Sequence, residues 1–466
     1  MVKNKILIQK VSLLVSDAVA LFLSLVIASW LLDLIRPGNN EVSLAVFGLA
    51  KFGGVLLLAV FWYQEQYMKR RPTWEELRLL YRTIFIFALL HLVISYLLAH
   101  NVVKLLNVFF WVGLLIILPG LRYLTKNILR HLQLWQRNIY IIGTGPIALS
   151  TCELLQHNKS LGYNVVAFVE PSVDTLPAIH NSIPVLNYTT VANNKITDAE
   201  IVFAMPSAEL LLHSDKIDLL QSKYLFVSIV PEVSGLPLYG VEVEHFFGSD
   251  QLFLRLQNNL GRKLNRYIKR CMDLVIGGIM LVVLLPVFIT IALLIKITTR
   301  GPVFFGHQRV GMLGVAFKCL KFRTMHTNSA ELLTQLLSSD ANAKLEWDAM
   351  QKLRDDPRVT KIGNFLRKTS LDELPQLWNV LVGEMSLVGP RPIVKDEVCR
   401  YGSNYYYYQL VCPGITGMWQ ISGRSDAEYI RRVQFDVWYV KNWSLWYDWV
   451  ILFKTVPVFL LRHGAY

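Results

Sequence analysis

Four apolar stretches crowd the first part of the chain, roughly Val11 to Leu32, Leu44 to Tyr63, Ile84 to Ala99 and Leu105 to Leu121. Each approaches the ~20 residues that cross ~30 Å of hydrocarbon. In that solvent a backbone must satisfy its own hydrogen bonds, so each is expected to be a helix. A four-helix transmembrane bundle over residues 1–130 follows. Composition agrees, because 53% of the 466 residues are hydrophobic, more than a soluble globule carries.

Lys3, Lys5 and Lys10 precede the first stretch, Lys69, Arg70, Arg71, Arg78 and Arg82 separate the second from the third, and Arg122, Lys126 and Arg130 follow the fourth. Loops rich in lysine and arginine stay on the cytoplasmic side, which places both ends of the bundle there. The opening MVKNKILIQK has no small-residue cleavage site behind it and reads as a retained anchor. Asp17, Lys51 and His91 interrupt the stretches; Asp17 and Lys51 are expected near opposite interfaces, snorkelling towards water.

A fifth stretch, Leu274 to Ile295, is 22 residues without a charge. Its length suits a span, but Lys263, Arg266, Lys269 and Arg270 stand before it and Lys296 and Arg300 after it, so neither end is marked as the outer one. Pro286 sits in the middle, where it removes a backbone hydrogen bond and bends a helix. The expectation is a re-entrant membrane helix over 266–296 that returns to the face it entered.

Between these membrane regions, IYIIGTGPIALSTCELL followed by YNVVAFVE reads as strand, glycine turn, helix and strand. A Rossmann-like α/β domain over 137–260 is expected. Gly143, Gly145 and Ala148 form G-x-G-x-x-A, and Glu170 ends the second strand, so a weak nucleotide motif competes with glycines used only for packing. None of the 20 tyrosines has a lysine four residues later, which speaks against a redox enzyme using that pair. The five cysteines include no C-x-x-C and read as reduced thiols.

The formal charge of +13 allows nucleic acid, anionic lipid or phosphorylated substrates. No base-reading motif or P-loop appears, so lipid and phosphate are favoured over nucleic acid. Residues 261–466 hold the candidate phosphate contacts, in KCLKFRTM, in RKTSLDELPQLWNVLVGEMSLVGPRP and in PGITGMWQISGR. Arginine suits phosphate because its planar fork donates paired hydrogen bonds.

Amid these bases stand two adjacent acids, Asp372 and Glu373. Ser370 to Glu373 fits a capping box, and Asp372 alone fits an N-cap with Pro375 in the first turn. Chemistry is the other reading. Adjacent carboxylates repel, and a divalent cation relieves that repulsion while binding a diphosphate, leaving one carboxylate as a nucleophile.

KRCMD, KFRTM, RKTSLDELPQLWNVLVGEMSLVGPRP and PGITGMWQISGR resemble the bacterial polyprenyl-phosphate hexose-1-phosphate transferases, the monotopic phosphoglycosyl transferases. With the bundle, the α/β domain and the ending RHGAY, the resemblance covers nearly the whole chain and is nearest to the galactose branch. It implies an α-rich catalytic domain over 261–466, on the cytoplasmic face of the bacterial inner membrane. Asp372 would attack the β-phosphate of UDP-galactose, or of UDP-glucose, releasing UMP, and undecaprenyl phosphate would then take the phosphosugar in the first membrane step of O-antigen, capsule or exopolysaccharide synthesis.

The same resemblance makes Glu373 the partner acid for Mg²⁺, and Arg367, Arg391, Lys321 and Arg323 phosphate ligands. It gives Arg424 the uridine end, places Lys269, Arg270 and Asp273 near the lipid phosphate, and makes Asp448 a possible site residue. A homodimer is expected. One departure is visible: Leu285-Pro286 stands where several family members have Ser-Pro at the helix break. The rival from another class is a non-catalytic membrane scaffold whose basic loops touch anionic lipid.

Overall fold

The computed structural model describes residues 2–35, 43–98, 101–170, 179–180, 183–193, 199–224, 226–233, 235–237, 240–245, 252–256, 259–340, 342, 344–345, 347, 356–422 and 429–460. The chain divides into two compact units, residues 1–234 and 235–466.

The first unit begins with four helices, α1 (Val2–Ile35), α2 (Ser43–Tyr63), α3 (Thr73–Leu98) and α4 (Asn101–His131). They outrun the apolar stretches because polar turns at either end continue the helical pattern. On α4, Leu106, Phe110, Leu114 and Leu118 repeat every four residues and are buried against Leu13, Ala20 and Ala28 of α1 and Phe61 of α2. Phe22, Trp30, Phe85 and Tyr96 face outward, the opposite of a soluble bundle. Lys5–Ile35, Thr73–Leu97 and Leu105–His131 are long and apolar enough to cross a membrane.

In hydrocarbon, apolar packing alone gives little net drive, so buried polar pairs matter more. Asp17 is fully buried, not snorkelling: Arg122 donates to it from Nε (2.8 Å) and Nη2 (2.5 Å), and the Tyr67 hydroxyl donates a third bond (2.8 Å). The acid joins α1, the loop before α3 and α4. His91 is also buried and accepts from Trp111 Nε1 (3.0 Å). The Lys51 side chain lies outside the described residues.

The same unit holds a six-stranded sheet ordered β3–β4–β2–β1–β5–β6, parallel except for the β3–β4 pair. The strands are β1 (Arg137–Ile142), β2 (Tyr163–Glu170), β3 (Ile179–His180), β4 (Ile183–Asn187), β5 (Ala199–Phe203) and β6 (Phe226–Ile229). Helices α5 (Pro146–His157), α6 (Tyr188–Asn193), α7 (Ser207–Leu212) and α8 (Ser214–Lys223) lie among them. Ile139 and Ile141 pack with Ala148 and Cys152 of α5, while Tyr140 and Ile142 join Val191 of α6 and Leu220 of α8. Alternate residues of β1 thus fill both faces, as a sheet covered on two sides requires.

In the second unit a hairpin of β7 (Glu242–His245) and β8 (Leu252–Arg255) precedes α9 (Lys263–Thr298), one continuous helix with Pro286 inside it. Only 11% of the apolar window of α9 is buried, and it too is long enough to cross a membrane. Next come the antiparallel pair β9 (Phe304–Val310) and β10 (Ala316–Phe322), then α10 (Ser329–Ser339), α11 (Lys361–Thr369) and α12 (Gln376–Val382). Short parallel strands β11 (Ser386–Val388) and β12 (Gly414–Thr416) and helices α13 (Tyr429–Lys441) and α14 (Leu445–Leu460) complete it. Ile451 of α14 shares a core with Leu377, Val380, Leu387 and Tyr439, so this last apolar segment packs as a core helix.

Candidate active site

Strand β10 runs into Arg323 and Thr324, and α11 docks on that link. The Thr360 backbone N–H donates to the Thr324 carbonyl (3.0 Å), and the Thr360 hydroxyl caps α11 by accepting from the Gly363 N–H (2.9 Å). Glycine is required at 363, because a Cβ there would lie 2.0 Å from the Thr324 oxygen. Helix α11 ends at Ser370, whose φ of 54° is unusual for a residue with a side chain. That reversal turns the chain into a single 3-10 turn, Leu371–Glu373, which carries the acidic pair.

Neither capping arrangement expected for these acids forms. The Ser370 side chain makes no cap bond, and Asp372 lies within the 3-10 turn, not at an N-cap. Asp372 is 9% exposed, and its nearest cation is Lys321, whose Nζ stands 3.9 Å from Oδ2. The same ammonium lies 2.6 Å from Glu373 Oε1. Burial pushes the Asp372 pKa up to about 6, with Glu373 adding to the rise while Lys321 and Arg367 oppose it. A carboxylate that is buried, charged near neutral pH and only loosely paired is poised to form a bond.

The other expected phosphate ligands take separate places. Arg367 is exposed on the last turn of α11, and its Nε donates to Thr324 Oγ1 (3.0 Å). Arg323 turns away from the acids and closes the end of α9, donating to the Thr299 carbonyl (3.1 Å), the Thr299 hydroxyl (2.6 Å) and the Arg300 carbonyl (3.2 Å). Arg391 lies over the Trp419 ring, 5.1 Å from its centroid. Arg424 lies outside the described residues.

Lys269, Arg270 and Asp273 face into the protein and hold α9 in place. Arg270 donates to the carbonyls of Val380 (2.5 Å) and Leu381 (2.7 Å), satisfying the end of α12. Asp273 Oδ1 accepts from the Leu387 N–H (3.1 Å). Lys269 Nζ donates to Asp448 Oδ2 (2.7 Å) and to the Val388 carbonyl (3.0 Å). Asp448 is fully buried and also accepts from the Tyr439 hydroxyl (2.8 Å) and Trp443 Nε1 (3.1 Å). Burial raises its pKa, opposed by those three donors. Each of these four side chains thus bonds to protein groups.

In the first unit, Gly143 has φ +118° and a Cβ there would meet the Ala204 carbonyl at 2.6 Å, so packing alone demands glycine. Gly145 has open space around it, and Glu170 accepts from Thr144 Oγ1 (2.8 Å) across the turn.

Three residues went unread in the sequence. Asn379 is buried in α12 and bonds the edge of β10, and Tyr439 bridges Asp448 to the Val388 carbonyl (3.0 Å). Asp436 is buried behind Arg391, accepts from the Tyr401 hydroxyl (2.8 Å), and has its pKa pushed up to about 7 by burial. A polar residue inside an apolar helical run, as in QLWNVLV and VQFDVWYV, was the signal available.

Among the described residues no group of three or more His, Cys, Asp or Glu side chains is placed to hold a metal unaided. Mg²⁺ asks less of a protein, since it takes one or two carboxylates and fills its shell with phosphate and water. Asp372 and half-buried Glu373 on one turn fit that demand, with Glu373 already charge-matched by Lys321.

Residues 264–462 match the model of the family described as bacterial sugar transferase. A Salmonella typhimurium protein named undecaprenyl-phosphate galactose phosphotransferase is 42% identical over 417 residues, covering 88% of this chain and 87% of its own. An Erwinia amylovora UDP-galactose-lipid carrier transferase is 39% identical, with the same shares covered. A Klebsiella pneumoniae UDP-glucose:undecaprenyl-phosphate glucose-1-phosphate transferase is 30% identical, covering 76% of this chain and 74% of its own.

Proposed function

Since the chain belongs to the bacterial sugar transferases, membrane-associated enzymes whose members include polyprenyl-phosphate sugar-1-phosphate transferases, we propose that it moves galactose-1-phosphate from UDP-galactose to undecaprenyl phosphate. It would thereby begin O-antigen, capsule or exopolysaccharide synthesis. The observation that carries this reading is the buried, loosely paired Asp372 carboxylate beside Lys321.

In the proposed reaction an Asp372 oxygen attacks the β-phosphorus of the UDP-sugar. The phosphoanhydride bond breaks, UMP leaves with the bridging oxygen and its electron pair, and the hexose phosphate is held as an acyl phosphate. An oxygen of undecaprenyl phosphate then attacks the same phosphorus. The aspartyl oxygen leaves as carboxylate, and undecaprenyl diphosphate-hexose is released.

Lys321 offsets charge on the acidic turn and on an arriving phosphate, since a cation placed before the reaction needs no reorganisation during it. Arg367 at the rim of that turn suits phosphate, and Arg391 keeps a planar donor fork stacked on Trp419. Mg²⁺, held by Asp372 and Glu373 with substrate phosphates, would supply Lewis-acid neutralisation of the diphosphate.

For topology, the sparse burial of α9, its basic flanks and Pro286 support re-entry from the cytoplasmic face of the inner membrane. A cysteine placed just after Arg300 should then be labelled only from the cytoplasmic side; labelling from outside would sink the re-entrant helix. The N-terminal bundle would anchor the chain and pair two copies, which a chain starting near Gly261 that remained dimeric would refute.

The deciding assay is UMP release by purified protein with undecaprenyl phosphate, Mg²⁺ and, in separate reactions, UDP-galactose, UDP-glucose and UDP-N-acetyl sugars. Release with UDP-galactose supports the reading, and release with UDP-glucose alone keeps the reaction but changes the sugar. Silence from folded protein with every sugar would favour the scaffold. Incubation with labelled UDP-galactose without lipid should leave label on the native protein and none on Asp372→Asn.

A further inference from the structure

Strand β10 is paired with β9 along one edge, and the two form a sheet of their own. Its other edge would expose unpaired peptide groups, but one side chain takes the place of a third strand. Asn379 Oδ1 accepts from the Leu320 N–H (3.0 Å), and Asn379 Nδ2 donates to the Lys318 carbonyl (2.9 Å). A carboxamide can do this because it carries a carbonyl and an amino group side by side, as a peptide does.

The second Nδ2 hydrogen goes to Glu384 Oε2 (2.6 Å). The Asn379 carbonyl accepts from the N–H groups of Gly383 (3.0 Å), Glu384 (3.0 Å) and Met385 (3.2 Å), closing the end of α12. Both the side chain and the backbone of this residue, which is 1% exposed, are therefore committed.

What the bond fixes is a register. Lys321 directly follows Leu320 on β10, and the acidic turn leads into the helix that carries Asn379. A slip of β10 along α12 would move the ammonium away from both carboxylates at once. We propose that Asn379 is a positioning residue, whose amide locks β10 to α12 and so sets Lys321 against the Asp372–Glu373 pair. This rests on Asp372 being the nucleophile only for its kinetic consequence; the placement of Lys321 stands without it.

Lys321 from β10, Glu373 beside it and Arg367 from α11 are the charged groups acting on Asp372. With Lys321 displaced, neither carboxylate keeps the ammonium beside it. In Asn379→Ala, turnover should fall by up to about tenfold, no more than the loss of Lys321 itself costs, as a small misplacement of a catalytic group does. A residue serving stability alone would lower the amount of active protein and leave turnover per folded molecule where it is. Adding Lys321→Met to Asn379→Ala should cost almost nothing more, whereas in the native chain it is costly; independent sites would show additive losses, which would overturn the proposal.

A readout free of catalysis separates this inference from the assignment of Asp372. Reaction of folded protein with an amine-acylating reagent, followed by peptide mass analysis, should show Lys321 labelled severalfold faster in Asn379→Ala than in the native chain, relative to Lys318. Unchanged Lys321 labelling overturns the positioning role. Faster labelling with unchanged turnover keeps the positioning role and removes Lys321 from the reaction. If Asn379→Ala does not fold, Glu384→Ala decides: it removes the acceptor of the second Nδ2 hydrogen and should raise Lys321 labelling in the same direction, less far, and no increase overturns the proposal.

Discussion

Asp448 and Asp372 are both buried aspartates with a lysine beside them, yet their carboxylates are treated differently. Asp448 accepts from Lys269, Tyr439 and Trp443, and Lys269 is itself held by the Val388 carbonyl. Asp372 has a lysine at 3.9 Å whose shorter contact is to Glu373. A buried carboxylate met by several donors is well compensated, whereas one whose nearest cation stands 3.9 Å away is less so, which supports a reactive role for Asp372. Asp17 in the helical bundle belongs with Asp448, being fully engaged by Arg122 and Tyr67. The shared chemistry of an acid beside a base says little, and the count of donors separates the roles.

The sharpest break of this comparison is Asp372→Asn. Loss of a nucleophile removes most of a reaction's acceleration, so UMP release should fall by about 10⁴-fold or more. Stability should move the other way. The Asp372 pKa is about 6 against an ordinary 3.8, so as pH rises from 4 to 6 the unfolded chain loses this proton first. The folded state is disfavoured progressively over that window, by about 3 kcal/mol once pH exceeds 6. Asparagine carries no such cost, so the variant should melt at the same temperature as the native chain or higher at pH 7.5, and lose that advantage near pH 4. A variant that melts lower would mean that Asp372 holds the fold together and is not a strained reactive group.

Asp448→Asn should do the reverse. It leaves Lys269 as a buried charge without its counter-ion, which costs about 3–5 kcal/mol. In a unit of this size each kcal/mol lowers the melting temperature by roughly 2–4 °C, so a fall of about 10 °C is expected by thermal unfolding in detergent. Turnover per folded molecule should stay within a few-fold of native. Loss of turnover without loss of stability would return Asp448 to the reacting centre.

What was legible in the sequence follows the same divide. Apolar runs and glycine turns act locally, so the helices and the parallel sheet could be read from residue types, whereas the acids, expected at a helix cap, lie in a 3-10 turn. Destinations of long polar side chains could not. Lys269, Arg270 and Asp273 look like lipid-phosphate contacts in a linear string beside a membrane helix. Yet Lys269, Asp273 and Gly277 share one face by their spacing of four, and that face is the buried one. Lys321 and Glu373 are 52 positions apart, and only the docking of α12 on β10 brings them together. Arg323 lies two positions from Lys321, just past the end of β10, but closes a helix end. Residue type identified the cations, and packing chose among them.

A smaller effect tests the reactive side of the comparison by titration. If Asp372 must be ionised to attack, turnover should fall about tenfold per pH unit below its pKa near 6. Lys321 holds the carboxyl down, so Lys321→Met should move this limb upward and lower turnover at pH 7 by about tenfold. The sign matters more than the size. A limb moving to lower pH would mean that Lys321 raises the cost of ionisation, contrary to its position beside both acids.

The smallest change probes how completely the scaffold side is satisfied. Tyr439 donates one hydroxyl hydrogen, shared between Asp448 Oδ1 (2.8 Å) and the Val388 carbonyl (3.0 Å), and lies 3.3 Å from Lys269 Nζ. Tyr439→Phe removes that donor but leaves Asp448 with Lys269 and Trp443. The carboxylate keeps its counter-ion, so the loss is that of one buried hydrogen bond to a charged group, about 1.5–3 kcal/mol and below that of Asp448→Asn. Urea unfolding should therefore place Tyr439→Phe between the native chain and Asp448→Asn, with the denaturant slope unchanged. A double variant should be far less than additive, because once the carboxylate is gone the hydroxyl has lost its charged acceptor. Full additivity would show that Tyr439 stabilises through its ring or the Val388 carbonyl alone. Asp448 would then be less completely satisfied than its three donors indicate, and closer in kind to Asp372.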